Sequence, residues 1–315
     1  MRKVLFGLVL IALIVLSLFV GVHSVSLRGV LVGDELQRLL LVKTRIPRTI
    51  SLVLAGGMLS LSGKIMQHLM QNKFVSAGTI GMTDSARLGI LFVMLFIPNG
   101  SILTRSLVAF IFSYLGVLLF LSLSRVLPKG DPMILPLTGV MFGNIIGSLA
   151  TFLAYQNQLV QNLSAWLQGN FATVMAGSYE LIYITIPVFF LLYLLGYQIT
   201  VAGLGEEHAT NLGLNYQKLQ WIVFALVALG SSLVLIMVGS IPFLGVVVPN
   251  LVSLYYGDHL KNTVGLTVVS GSIFLLICDI LARIIIAPYE IPVSVVVGVI
   301  GGILFLFILT RRKRT

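Results

Sequence analysis

Charge is scarce in this sequence, cysteine is almost absent, and none of the short motifs that carry nucleotide or hydrolytic chemistry occurs. Asp, Glu, Lys and Arg make up 10% of 315 residues, where a soluble domain carries roughly a quarter, and the mean hydropathy is +1.07. That excludes an ordinary soluble fold and describes an integral membrane protein. The single cysteine, Cys278, lies in an apolar run, which excludes a disulfide framework and a thiolate metal site and leaves a small buried apolar residue. There is no G-x-x-x-x-G-K-S/T phosphate loop, so the chain cannot bind and hydrolyse ATP by the usual route. H-E-x-x-H, G-x-S-x-G and C-x-x-C are missing as well. His23, His68, His208 and His259 are scattered without the spacing of metal ligands.

Carboxylates are few, ten in all. Asp34, Glu35, Asp131, Glu180, Glu206, Glu207, Asp258 and Glu290 fall in expected loops or at span ends. Asp84 and Asp279 fall inside apolar runs, where a charge costs a few kcal/mol and is a functional hypothesis by default. Asp279 and Arg283 are four residues apart, on one helix face, and a mutual ion pair is the simplest account of them. A proton-coupled carrier would need embedded acids as a relay, and Asp84 alone remains for that role. The formal net charge is +10, but Lys and Arg in membrane proteins follow topology, so the excess does not argue for nucleic acid.

Apolar segments of spanning length number about ten, near 4–22, 48–69, 76–97, 105–125, 134–156, 179–198, 218–239, 243–257, 263–284 and 292–310. The first follows Arg2-Lys3 as a signal peptide would, yet lacks a small-residue cleavage site and is read as a retained helix. An even number returns both termini to one side. Arg2-Lys3, Lys73, Arg125, Lys129, Lys218, Lys261 and Arg311 to Arg314 then share that side, which the positive-inside rule makes cytoplasmic. Against this trend the first outer loop carries Arg28, Arg38, Lys43, Arg45 and Arg48, and Arg283 sits near the outer end of the ninth span. Snorkelling of long cationic side chains is one account. An acidic partner docking on the outer face, its carboxylates held by arginines, is the favoured one.

In Ile241 to Lys261 an apolar run holds Pro242 and Pro249 and closes on Asp258-His259. Two prolines predict short, interrupted helices lining a protein-walled cavity. Two polar inserts break the pattern of short loops. Thr200 to Gln217, punctuated by Gly203, Gly205 and Gly213, predicts one or two short surface helices that dock a cytoplasmic subunit. Gln156 to Tyr179 contains Trp166, either an interfacial belt residue or the cover of a cavity mouth. No linker or low-complexity stretch divides the chain, so residues 1–315 are read as one transmembrane domain.

Several spaced motifs resemble those of the iron-chelate and cobalamin uptake permeases of ATP-binding-cassette importers. They are Arg45-Ile46-Pro47-Arg48, Ala55-Gly56-Gly57-x-Leu59-x-Leu61-Ser62-Gly63 with Gln67, Trp166-x-x-Gly169, Ala209-x-x-Leu212-Gly213, and Gly239-x-Ile241-x-Phe243-x-Gly245. Pro249, Gly257-Asp258-His259, Asp279-x-x-Ala282-Arg283 and Glu290-x-Pro292 complete the series. The resemblance covers about residues 4–310. It implies an all-α polytopic fold of about ten spans, the type II importer permease fold, with no catalytic residue, cofactor or resident metal. It also implies a second permease chain, two cytoplasmic ATP-binding subunits and a substrate-binding lipoprotein or periplasmic protein, assembled in the bacterial cytoplasmic membrane. In such permeases the matching arginines face outward to glutamates of the binding protein; here they are Arg45, Arg48 and Arg283. The coupling helix matches Gly203 to Leu214, with Glu206, Glu207, Asn211, Leu212 and Gly213 at the ATPase contact.

Two departures stand out. The N-P-L motif of the cytoplasmic gate reads Asn72-Lys73-Phe74, and the P-H-x-x-R motif reads Pro249-Asn250-Leu251-Val252-Ser253. The second variant is similar to the subgroup that handles ferric siderophores of catecholate or petrobactin type. The resemblance therefore implies a ferric siderophore rather than cobalamin or haem, and a heterodimer rather than a homodimer.

Overall fold

The computed structural model describes residues 2–21, 34–124, 126 and 133–312. Expectations placed on His23, Arg28, Arg125, Lys129, Asp131, Lys313 and Arg314 lie outside the described residues, as do the side chains of Arg2, Lys3, Arg311 and Arg312. Among the described residues the chain is helical, and its one β-like feature is an isolated bridge between Gln168 and Ser240.

The helices are α1 (Arg2–Phe19), α2 (Glu35–Leu40), α3 (Ile46–Leu69), α4 (Met82–Phe96), α5 (Ile102–Ser124), α6 (Ile134–Gln156) and α7 (Val160–Leu167). They continue as α8 (Thr185–Leu194), α9 (Gly196–Ala202), α10 (Glu206–Asn211), α11 (Tyr216–Val238), α12 (Leu244–Tyr256), α13 (Leu260–Ile284) and α14 (Val293–Arg312). Six segments are long and apolar enough to cross a membrane, and Glu180–Leu194 joined to α9 across a 58° bend makes a seventh. The shorter apolar helices α1 and α12, with α4, fall at the positions of the other three of the ten expected spans.

The expected loop around Arg38, Lys43, Arg45 and Arg48 is instead helix. Asp34 caps α2 by accepting from Leu36 N and Gln37 N at 3.0 and 3.3 Å. The chain then runs through a π-turn, Leu41–Arg45, straight into α3. Pro47 stands two residues after this π-turn, so the hydrogen bond that its missing N–H would have given falls where the regular ladder is already interrupted. This 35-residue helix is the hub of the bundle, 78% buried over its apolar window, while α6 and α14 are each 28% buried.

Small residues make that burial possible. A Cβ on Gly63 would lie 1.8 Å from the Gly245 carbonyl oxygen of α12, and one on Gly56 would lie 2.6 Å from that of Gly271 in α13. The glycine motif of α3 is thus a packing face along which two neighbouring helices approach to backbone contact.

Pro249 does not interrupt its helix; it lies inside α12. Its missing N–H leaves the Gly245 carbonyl without its usual partner four residues on. Gln67 Nε2 reaches toward that oxygen at 3.5 Å and toward Val246 O at 3.4 Å, and Asn250 Nδ2 donates to Val246 O at 2.8 Å. Side-chain amides supply what the backbone lost. The real break comes earlier, at Pro242 and at Phe243, whose φ of 61° is left-handed.

Candidate functional site

The turns place two polar clusters at opposite ends of the bundle, here called the arginine end and the lysine end. At the arginine end Arg48 Nε and Nη2 stand 3.1 and 2.8 Å from Asp279 Oδ1, while its Nη1 stands 2.7 Å from Glu290 Oε2. Arg283 closes on the other oxygen, Asp279 Oδ2. Arg283 also donates to the carbonyls of Ser17 and Val20 at 2.9 and 2.8 Å, and Arg45 donates to that of Val20 at 2.7 Å. These carbonyls end α1, where oxygens lack intrahelical partners and the dipole is negative, so the guanidinium groups cap the helix.

The fold therefore brings Arg45, Arg48 and Arg283 together, with all three turned inward and 8%, 7% and 2% exposed. Asp279 is fully buried between two guanidinium groups, which supply both of its oxygens with partners. The pair read from the four-residue spacing, Asp279 with Arg283, is present; Arg48 and Glu290 extend it into a network across α3, α13 and the turn before α14.

At the lysine end the segment after α3 is folded on itself, with Asn72 Oδ1 accepting from Phe74 N at 2.9 Å. It is tied to α12 by Asn250 Nδ2 donating to Lys73 O at 2.7 Å. Lys73 Nζ stands 2.7 Å from Asp258 Oδ2 in the turn after α12. Lys64 donates to Ser253 Oγ at 2.6 Å and lies 3.6 Å from Asp258 Oδ1. Partial burial would raise the Asp258 carboxyl, but hydrogen bonds from Lys73 and Ser253 and the charges of Lys73 and Lys64 hold it below its ordinary value. These groups surround a cavity of about 630 Å³, which Lys64, Gln67, His68 and Gln71 also line.

A second cavity, of about 580 Å³, lies deeper between α4, α6, α11 and α12. Phe74 borders both. Its ring meets Phe305 edge-on at 6.1 Å between centroids, and Phe305 in turn meets Phe243 at 6.1 Å. Phe74 therefore stands between the two cavities, backed on the side of the second by Phe305 and Phe243. Asp84 lines the deeper cavity against α6, where a Cβ on Gly143 would stand 2.6 Å from its Oδ2. Trp166 is covered by the Arg105 guanidinium, 4.9 Å from the ring centroid, which pins α7 to the start of α5.

The expected surface helix exists as α10, only six residues long. Ala209 faces the body, while Glu206, Glu207, Asn211 and Gly213 are exposed and Leu212 is 67% exposed. Just before α10, the Gly203 carbonyl accepts from Gln71 Nε2 at 3.1 Å. A Cβ on Gly203 would strike the His68 imidazole at 2.3 Å. The α10 segment is thus joined to the residue that precedes Asn72. Lys64, Gln71, Phe305 and the contact of Arg48 with Glu290 escaped the sequence reading. Lys64 alone left a visible signal, a charge inside an apolar span three residues before Gln67 and so on one face with it.

The chain matches the FecCD transport family over residues 9–311. It is 45% identical over 306 residues, 97% of each chain, to the petrobactin import system permease protein YclN of Bacillus subtilis strain 168. It is 36% identical, over 94% of each chain, to the ferric-anguibactin transport system permease protein FatD of Vibrio anguillarum. Among solved structures, an inward-facing transporter described as a metal-chelate type ABC transporter superposes with a TM-score of 0.84 at 25% identity, covering 99% of this chain and 100% of that one.

Proposed function

The chain belongs to the FecCD transport family, and on that premise we propose that it is the transmembrane permease subunit of an ATP-binding-cassette importer that carries a ferric siderophore across the bacterial cytoplasmic membrane. The observation that carries the cargo is the 45% identity, along nearly the whole of both chains, to a petrobactin import permease. The lysine end and both termini face the cytoplasm. A second, different permease chain completes the path, two cytoplasmic ATPases drive it, and a binding lipoprotein or periplasmic protein loads it from the arginine end.

Coupling runs from the surface inward. An ATPase seats on α10, with Glu206, Glu207, Asn211, Leu212 and Gly213 at the contact. Movement there pulls on Gly203, and through its hydrogen bond on Gln71. Gln71 precedes Asn72, Lys73 and Phe74, so the Phe74 segment between the two cavities is the moving part. The ligand passes without covalent change. At the other end the binding protein's carboxylates compete with Asp279 and Glu290 for Arg48, and reach Arg45 and Arg283 beside it.

The test is uptake of iron-55 petrobactin by a bacterial strain lacking this chain and by the same strain complemented with it. Uptake should return only when the cognate ATPase is also present, and cobalamin uptake should not. Uptake that survives loss of the ATPase but collapses with an uncoupler would overturn the reading in favour of a proton-coupled carrier.

A further inference from the structure

We propose that the cavity at the lysine end is a receiving site for an anionic metal chelate, built on Lys64 and Lys73, in which Asp258 stands in for the ligand's own carboxylate or catecholate oxygens. The identity of the ligand as cargo rests on the function proposed above; the preference for an anion does not.

Lys64 is 3% exposed and lies within a membrane-spanning helix, yet its side chain lines a cavity. An ammonium in such a place is costly unless its hydrogens find oxygens. It has three hydrogens, and its partners here are the Ser253 hydroxyl and one Asp258 oxygen at the outer limit of an ion pair, 3.6 Å. The other Asp258 oxygen is taken by Lys73. One carboxylate thus serves two lysines. His68, the remaining titratable group on this wall, adds no negative charge, and the other polar side chains are the amides of Gln67, Gln71 and Asn72. Among the described residues the cavity carries an excess of positive charge, felt most strongly at the buried Lys64 and partly screened by water at the half-exposed Lys73 and Asp258. A second anion completes the balance; a cation is repelled.

The volume, about 630 Å³, lies within the usual range of small-ligand sites. Asp258 can give way, because its side chain is 54% exposed and sits in the turn between α12 and α13. Once ligand oxygens take over Lys73, the ion pair that ties the segment before Phe74 to that turn is released. An anionic chelate arriving from the deeper cavity would therefore loosen the Phe74 segment it has just passed. A neutral chelate of similar size would not.

The test uses the complete importer in nanodiscs of zwitterionic lipid, without binding protein or ATP. Retention is compared for two iron-55 probes, a ferric tricatecholate, which is anionic, and a ferric trihydroxamate, which is neutral. The wild type should retain the tricatecholate more strongly. Lys64→Met and Lys73→Met should each weaken its retention by about tenfold, the scale of one charge-assisted hydrogen bond, and leave the trihydroxamate unchanged. Lys64→Arg should keep the preference. Lys73 is 40% exposed, so its variant folds even if the buried Lys64→Met does not. Equal retention of both probes by the wild type overturns the proposal, and so does an undiminished preference in Lys73→Met. Loss of retention on adding phosphatidylglycerol to the nanodiscs would assign the cavity to a lipid headgroup and overturn it too. Should cells show no uptake of any ferric chelate while the purified importer still discriminates, the receiving site stands and the assignment of cargo falls.

Discussion

Asn250 Nδ2 donates to the carbonyl oxygen of Lys73 at 2.7 Å, so the two variant motifs, Asn72-Lys73-Phe74 and Pro249 to Ser253, touch each other. The contact is largely buried, Asn250 being 6% exposed. Asn250→Ala would strand the Lys73 carbonyl, at a cost of about 1–3 kcal/mol. The expected outcome is a loosened Asn72–Phe74 segment, read as faster hydrogen exchange there and raised basal ATPase activity of the importer. Unchanged exchange would remove Asn250 from the gate.

The network around Asp279 makes the three arginines unequal. Asp279→Asn leaves the Arg48 and Arg283 charges buried without their shared counter-ion, a loss on the order of 3–5 kcal/mol, seen as a lower thermal midpoint in detergent. Arg45 is a buried cap of α1, so the conservative Arg45→Lys, which keeps the charge but not the fork of donors, should weaken binding-protein docking, measured by surface plasmon resonance, with a smaller loss of midpoint than Asp279→Asn. If Arg45→Lys docks normally, the arginine end is structural only.

Leu212 is the apolar anchor left bare beside α10. Leu212→Asp should separate ATP hydrolysis from transport, with ATPase binding reduced about tenfold or more, as for an interface anchor worth over 1 kcal/mol. Insertion and thermal stability should be unaffected, since Leu212 touches little of the chain's own core. Full coupling in the variant would dismiss α10 as the contact.

Gly63→Ala adds one methyl where only 1.8 Å separates it from the Gly245 carbonyl oxygen. Neither backbone can yield cheaply, so the helices must separate. The expected result is a chain that inserts poorly or is extracted as aggregate, whereas Gly265→Ala, with open space around it, should behave as wild type.

The Lys73–Asp258 ion pair should respond to pH in one direction only. The Asp258 carboxyl is held below its ordinary value of 3.8. A depressed acid contributes stability that is complete above its unfolded pKa and is lost as pH falls through its folded pKa. Protection factors at residues 72–75, which divide out the intrinsic pH dependence of exchange, should stay flat from about pH 8 to pH 5 and fall only below about pH 4. The pair is half-exposed, so water and salt screen it and the change is modest. A transition near neutral pH would assign the closure to a different group, with His68 the nearest titratable alternative.

Composition settled the class before any geometry was known. A chain with so few charges and ten apolar runs has to satisfy its backbone inside helices, because lipid offers no hydrogen-bond partner. The periodic runs, the surface segment at Glu206 to Gly213 and the Asp279–Arg283 pair could all be read directly, since each depends on residues near one another in sequence. Proline misled the reading once: Pro242 does mark a break, but Pro249 is accommodated because Gln67, far away in sequence, covers what it leaves open.

What the tertiary structure alone decided are relationships between residues far apart in the chain. Arg48 lies 231 positions from the carboxylate it holds, and Lys64 lies 189 positions from Ser253. No local pattern encodes such pairings. They arise because glycines let α3 pack to backbone distance against α12 and α13, and that approach brings charges from separate spans into one low-dielectric space where they must find each other. The sequence by itself determined that there would be spans, an exposed surface segment and a few costly buried charges. Which charges meet, that the arginines turn inward, and that Phe74 stands between two cavities followed only from the packing.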